Sequence, residues 1–172
     1  CPYAKRAEVF SSCRDFAAAG VNLYSDIIFT LESSTKAEYR NWWQDEGKYD
    51  FTEVDSKIRA VVQANPDALI MIRIKLDPPD WWIRKYPDDV AAFYKNGKVE
   101  STEKYASLAS EVWENTYEKM LRDFIRHVKS SDYASHIYAY HPAGGNASEW
   151  MWYGQHSGFI DYSKAAQKRF RK

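Results

Sequence analysis

One short stretch of the chain, from His136 to Trp150, carries the residues best suited to acid–base chemistry. It reads as a β-branched and aromatic strand that breaks at Pro142 and then presents one carboxylate, Glu149, flanked by Trp150 and Trp152. A carboxylic acid held among indole rings loses hydration, which raises its pKa towards the range where it can donate a proton near neutral pH. Such a residue at the end of a strand indicates cleavage of a glycosidic bond. The competing interpretation is a solvated surface carboxylate.

A second candidate group follows a double proline after the most apolar strand of the chain. Trp81 and Trp82 are adjacent there, and neighbouring side chains of an extended segment point in opposite directions. We therefore expect one indole ring to face a cleft, where it could stack on a sugar, while the other packs beneath it. Asp77 and Asp80 either bond sugar hydroxyls or cap the following turn.

Three basic side chains near strand ends are further candidates for the functional site. A guanidinium near the end of a buried strand needs carboxylate partners, so Arg73 is expected to hold the geometry around Glu149. His136 and His141 bracket the strand that precedes Glu149. We expect His141 to face a ligand, the alternative being a hydrogen-bonded core histidine.

Composition narrows the classes of partner. The 24 Lys and Arg balance 24 Asp and Glu in the 172 residues, so no overall field attracts nucleic acid or anionic lipid. No apolar run approaches the roughly 20 residues that span a bilayer. Cys1 and Cys13 are expected to be separate thiols, and no metal or cofactor is implied. Aromatic residues, at 16% of the chain, suit both a core and a carbohydrate-facing cleft.

Periodicity predicts an alternation of helices and strands. The predicted helices cover 8–19, a segment from Thr52 to the Asn65-Pro66-Asp67 turn, 109–129 and 162 to the end, and the strands cover 21–29, 68–76 and 136–141. We expect the hydroxyl of Thr52 to cap its helix.

This order predicts an α/β fold with parallel strands and right-handed crossovers. No Gly-rich phosphate signature follows a strand, which disfavours a dinucleotide fold. The long connections come after the strands, on the side where α/β barrels place their chemistry. Because eight barrel strands need about 250 residues, we expect residues 1–172 to be one partial domain of a larger fold.

Several motifs, taken in order, resemble a known group of enzymes. They are Gly47-Lys48-Tyr49-Asp50-Phe51-Thr52 with Asp55, Pro78-Pro79-Asp80-Trp81-Trp82 with Tyr86-Pro87, the Gly-rich turn before Glu149-Trp150, and Asp161-Tyr162-Ser163 with Phe170. Together they look like the retaining glycoside hydrolases of clan A, most closely the family 42 β-galactosidases. The resemblance covers roughly residues 9–170.

The resemblance implies a (β/α)8 TIM barrel, of which this chain covers about the first half. Its three predicted strands would be barrel strands two to four, and Glu149 matches the general acid/base at the end of the fourth. The nucleophile of such enzymes is a carboxylate on the seventh strand, which is expected beyond the end of this chain. The 172 residues alone are therefore expected to be inactive.

The pattern departs from clan A at one position. Those enzymes usually carry Asn directly before the acid/base, whereas Ser148 stands there in this sequence. Either Asn146 reaches in to bond the sugar 2-hydroxyl, or that hydroxyl is recognised differently. Trp150, next to Glu149, is expected to contribute to the sugar-binding wall.

Two other classes of protein stay open at the level of sequence. The first is a non-catalytic carbohydrate-binding or scaffold protein on the same fold, and the second is an unrelated α/β domain whose aromatic loops form a protein contact. In each barrel interpretation the partners are a carbohydrate and either the remaining barrel half or a partner chain. A second copy of the chain could also cover the open strand edges, which makes an oligomer compatible with the sequence.

Overall fold

The computed structural model describes residues 6–28, 42–144 and 158–171. Within these ranges the helices are α1 Arg6–Ala18, α2 Thr52–Ala64, α3 Asp80–Lys85, α4 Glu111–Lys129 and α5 Lys164–Phe170. The strands are β1 Leu23–Ile28, β2 Trp43–Asp45, β3 Lys48–Tyr49, β4 Leu69–Lys75, β5 Val90–Lys95, β6 Lys98–Ala106, β7 Ile137–Ala143 and β8 Phe159–Ile160. None of the described helices is long and apolar enough to cross a membrane.

A three-stranded parallel sheet, in the order β1-β4-β7, forms the centre of the fold. β4 pairs in parallel with β1 on one side and with β7 on the other. The parallel arrangement predicted for these three strands is therefore confirmed, and the fold is mixed α/β. The sheet is open in the described ranges, so a closed barrel stays a prediction.

The two faces of the parallel sheet differ in chemistry. On β4, Ile70, Ile72 and Ile74 are buried in the core that the sheet shares with α2 and α4. The alternate residues Met71, Arg73 and Lys75 are half-buried and point to the other face. One face is thus covered by helices, while the other carries charged side chains near the carboxyl end of the strand.

Helix α4 illustrates how local signals determine an element. Ser110 precedes it, and its hydroxyl accepts a hydrogen bond from the Trp113 amide at 2.9 Å, which satisfies one of the unpaired donors at the helix start. Five residues on its apolar face are buried: Trp113, Tyr117, Met120, Phe124 and Val128. The prediction that the Thr52 hydroxyl caps α2 is wrong. The Asp50 carboxylate instead accepts a hydrogen bond from the Thr52 amide at the start of this helix.

The long connection after β4 has secondary structure of its own, which was not predicted from the sequence. It contains α3 and an antiparallel hairpin, β5-β6, which β8 extends to a three-stranded sheet in the order β6-β5-β8. The hairpin turns at Asn96-Gly97, both with positive φ. An Asn-Gly pair favours such turns, so the signal was present in the sequence. A second small hairpin joins β2 to β3.

The last helix begins later than predicted. Ser163 caps α5 by accepting from the Ala166 amide at 3.1 Å, so the helix starts at Lys164 and not at Tyr162. Before it, Asp161 accepts hydrogen bonds from the amides of Ser163 and Ala92. Asp161 therefore ties the start of α5 to the antiparallel sheet.

Candidate functional site

The carboxyl ends of β4 and β7 bring basic side chains together. Arg73 on β4 lies directly opposite His141 on β7 in the strand register, and both are half-buried. Residues opposite each other on neighbouring strands share a face of the sheet, here the face away from the helices. The two sequence candidates, from distant parts of the chain, are thus neighbours.

The next residues along β4 form a buried ion pair. The ammonium of Lys75 lies 2.9 Å from the Oδ2 atom of Asp77, whose carboxylate is fully buried. The lysine side chain keeps 17% of its surface exposed, so the pair lies just beneath the surface at the strand end. A buried carboxylate requires such a partner, because desolvation of an isolated charge is costly. Asp77 therefore lies at the carboxyl end of β4. Its contact with a sugar stays a prediction.

The prediction of an extended path through Trp81 and Trp82 is wrong, because Asp80 starts α3. The two rings still diverge. Trp81 packs edge-on against Trp43 and donates a hydrogen bond from its indole nitrogen to the Trp43 carbonyl at 3.1 Å. Trp82 packs edge-on against Trp113, with ring centroids 4.8 Å apart.

Burial separates the two rings as candidates for sugar binding. Trp82 is fully buried, which leaves no ring face open to a sugar, so we assign it to the core. Trp81 keeps 9% of its surface exposed. It also belongs to the core, and of the pair it is the less completely buried residue.

The tryptophans in the described part of the chain mainly pack in the hydrophobic core. Five of them belong to one buried core: Trp42, Trp43, Trp81, Trp82 and Trp113. They join the segment after β1, the segment after β4 and the start of α4. This arrangement does not fit a protein contact made by exposed tryptophan loops. It does hold the connections after two parallel strands against the core.

The remaining sequence candidates, Glu149, Asn146 and Trp150, lie outside the described residues. In the chain they follow β7, whose last residue, Ala143, is buried, as is the next residue, Gly144. On the same strand, burial raises the pKa of the Tyr140 phenol, so this ring stays neutral and can act as a hydrogen-bond donor.

The described residues include no cluster of His, Cys, Asp and Glu suited to a metal ion. Cys13 contributes a buried thiol to the core, and Cys1 lies outside the described ranges.

Lys75 is the residue that sequence reasoning overlooked at this edge. Its signal was the alternation of Arg73 and Lys75 with isoleucines, which places both cations on one face of β4. Its pairing with Asp77 could be recognised only from the turn that follows the strand.

This arrangement of parallel strands and outer helices has counterparts among solved structures. The chain aligns over 99% of its length with the β-galactosidase from Bacillus circulans sp. alkalophilus, with a TM-score of 0.60 and 20% identity. The two folds are similar over this length. The chain also aligns over 98% of its length with the β-galactosidase from the psychrophilic Marinomonas ef1, with a TM-score of 0.62 and 14% identity.

The chain spans only 22% and 23% of the lengths of these two β-galactosidases. No protein-family model matches the sequence, and no curated protein matches it at a significant level. At such identities the likeness concerns the fold. The chain therefore has the backbone arrangement of a fragment of these enzymes.

Proposed function

We propose that this chain is the acid/base-bearing part of a retaining β-glycoside hydrolase of the clan A type, similar to the family 42 β-galactosidases. β1, β4 and β7 would be strands two to four of a (β/α)8 barrel, with residues 1–172 forming one partial domain. Two observations support this: the helices cover one face of the parallel sheet, and the fold aligns with fragments of two β-galactosidases.

The observation that carries the proposal is the meeting of polar side chains at one edge of the sheet. Arg73 and His141 are opposite each other, and the Lys75–Asp77 pair follows at the same end of β4. Enzymes with parallel α/β sheets place their chemistry outside the carboxyl ends of the strands. Glu149 follows β7 in the chain, so its segment leaves the sheet at this same end.

The proposed reaction has two steps. In the first, Glu149 protonates the glycosidic oxygen of the leaving group while a second carboxylate, carried outside this chain, attacks the anomeric carbon. The carbon–oxygen bond to the leaving group breaks and a glycosyl-enzyme forms. In the second step, Glu149 takes a proton from water, which displaces the enzyme carboxylate and releases the sugar.

The candidate side chains have different parts in this scheme. Asn146 and Trp150 would bind the sugar beside the acid/base, and His141 and Trp81 would line the wall of the cleft. Arg73 would act through its charge on the carboxylates of the site. The partners are a carbohydrate substrate and the remaining barrel half, or a chain that replaces it.

The test is Glu149→Gln in the intact enzyme. Glutamine cannot donate the proton, so hydrolysis of a galactoside with a poor leaving group should fall about 100 to 10,000-fold. Glycosylation by an activated aryl galactoside should fall much less, because a good leaving group needs little protonation. Steady-state and burst kinetics with both substrates measure the difference. Glu53→Gln, at an exposed position of α2, is the matched control and should leave both rates unchanged.

An equal loss of rate on both substrates would show that Glu149 is not the proton donor. Sugar binding by the intact protein without hydrolysis of any glycoside would favour the carbohydrate-binding or scaffold protein instead.

A further inference from the structure

Exposed aromatic side chains line one face of the antiparallel sheet. Tyr94 on β5 lies opposite Val99 on β6 and opposite Phe159 on β8, so the three side chains form a row across all three strands. Tyr162 continues this row, with its ring centroid 5.2 Å from that of Tyr94 and the ring planes 31° apart. We call these three aromatic residues, together with Val99, the aromatic platform. Their exposed fractions lie between 41% and 75%, and contiguous exposed apolar side chains often mark an interaction site.

The backbone beneath the platform is firmly positioned. Gly158 has a φ of +128°, and a side chain there would place its Cβ 2.7 Å from the Tyr94 carbonyl oxygen. Only glycine allows β8 to approach β5 this closely. On the other side of Phe159, the Tyr162 amide donates to the Ala92 carbonyl at 2.9 Å, and Asp161 binds the Ala92 amide. The rings therefore project into solvent from a strand whose backbone is hydrogen-bonded to β5.

The size and charge of the platform limit what it can bind. Strands lie about 4.8 Å apart, so the row extends about 10 Å across the sheet. Stable protein interfaces use about 20–30 residues on each side, and four residues are far fewer. The hairpin that carries the row has three lysines and two glutamates, so it attracts neither strongly anionic nor strongly cationic ligands: Lys95, Lys98, Lys104, Glu100 and Glu103.

We propose that the aromatic platform is a second carbohydrate-binding surface, which takes a neutral β-linked polysaccharide outside the site at the ends of the parallel strands. The apolar C–H face of a pyranose ring packs on an aromatic ring, while its hydroxyls meet water and the tyrosine hydroxyls at the ring edges. The choice of a sugar as ligand rests partly on the proposed function, whereas the surface itself rests on the exposed row.

The test uses the intact protein in native gels that contain a soluble β-linked galactan, a β-glucan or a xylan. Wild-type protein should be retarded by at least one of these polysaccharides. The double variant Tyr94→Ser/Phe159→Ser should bind it about 5- to 150-fold more weakly, since each lost ring contact contributes about 0.5–1.5 kcal/mol and about 1.4 kcal/mol is tenfold. Phe159→Ser alone, at a position that is 75% exposed, should lose part of this binding without unfolding.

The matched control is Phe170→Ser, which removes an aromatic ring that is 93% exposed but lies outside the platform. It should bind polysaccharide like wild type. All variants should hydrolyse a small aryl galactoside at the wild-type rate, because that substrate does not reach the platform.

The outcomes separate this proposal from the proposed function. If wild type is not retarded by any of the three polysaccharides, or if the double variant is retarded like wild type, the platform proposal is wrong. A change of oligomeric state in the double variant with unchanged retardation would instead identify a protein contact. Suppose that the wild type is retarded and hydrolyses no glycoside, and that the double variant is not retarded. The platform proposal would then stand, and the proposed enzymatic function would be wrong.

Discussion

At the scale of single residues, the carboxylate of Asp55 connects distant parts of the described chain. Its Oδ1 atom accepts a hydrogen bond from the Tyr133 hydroxyl at 2.6 Å and lies 2.7 Å from Nε2 of His127. Phe51 stacks on the His127 ring at 4.1 Å. Asp55 thus links α2 to α4 and to the turn before β7. Burial and the nearby carboxylate together raise the pKa of the Tyr133 phenol, so it remains a donor.

Two buried tyrosines offer a matched test of this link. Tyr133→Phe removes the donor and leaves a carboxylate with one bond fewer, which should lower the free energy of unfolding by about 2 kcal/mol. The Tyr117 hydroxyl is buried without a hydrogen-bond partner in the described structure. Tyr117→Phe should therefore be neutral or stabilising by about 1 kcal/mol. Urea denaturation of the intact protein measures both, and equal effects would contradict the role given to Asp55.

At the scale of elements, β8 shows how a short segment depends on a distant one. It has two residues, too few to be predicted from alternation, and it forms by pairing with β5. The close approach at Gly158 makes this pairing possible. β5 and β6, by contrast, are joined by the Asn96-Gly97 turn, whose local preference favours a hairpin regardless of β8.

Alanine substitutions at two glycines of this sheet can distinguish backbone strain from steric crowding. Gly158→Ala adds a methyl group 2.7 Å from the Tyr94 carbonyl oxygen, whereas at Gly97, also at positive φ, a methyl group would contact no atom within 4 Å. Both variants should cost about 1–3 kcal/mol in backbone strain, but only Gly158→Ala should detach β8. Hydrogen exchange of the β5 amides should therefore accelerate in Gly158→Ala alone. Similar exchange in the two variants would show that β8 does not depend on the close approach.

At the scale of the whole molecule, the open sheet is the dominant feature. In the described ranges β1 and β7 each pair on one side only, since β4 lies between them. Unpaired strand edges recruit other chains. On the face that carries Arg73 and Lys75, the β4 side chains are only half-buried. A fold of this kind is expected to be completed by further strands or by a partner chain.

We therefore predict that residues 1–172, produced alone, do not form a stable monomer. Leaving about 300 Å² of apolar surface in water costs about 8 kcal/mol, which is comparable with the whole stability of a domain at about 5–15 kcal/mol. Sedimentation velocity should show associated species, and thermal unfolding should lack a single cooperative transition. A monomer that unfolds cooperatively would contradict both this prediction and the half-barrel proposal.

The sequence by itself determined the elements that arise from local periodicity and local capping. Periodicity predicted the main helices and strands, and their alternation predicted that β1, β4 and β7 lie side by side in parallel. The sequence also singled out Arg73, because a guanidinium near the end of a buried strand needs carboxylate partners, and His141, which lies on the strand before Glu149.

Only the tertiary structure decided how distant side chains are used. It placed Trp82 in the core instead of a cleft, paired Lys75 with Asp77, and brought Phe159 beside Tyr94. Each of these outcomes depends on which segments meet after the chain has folded. Local sequence constrains backbone conformation through nearby sterics and hydrogen bonds, whereas burial and pairing depend on contacts between residues that are far apart in the chain.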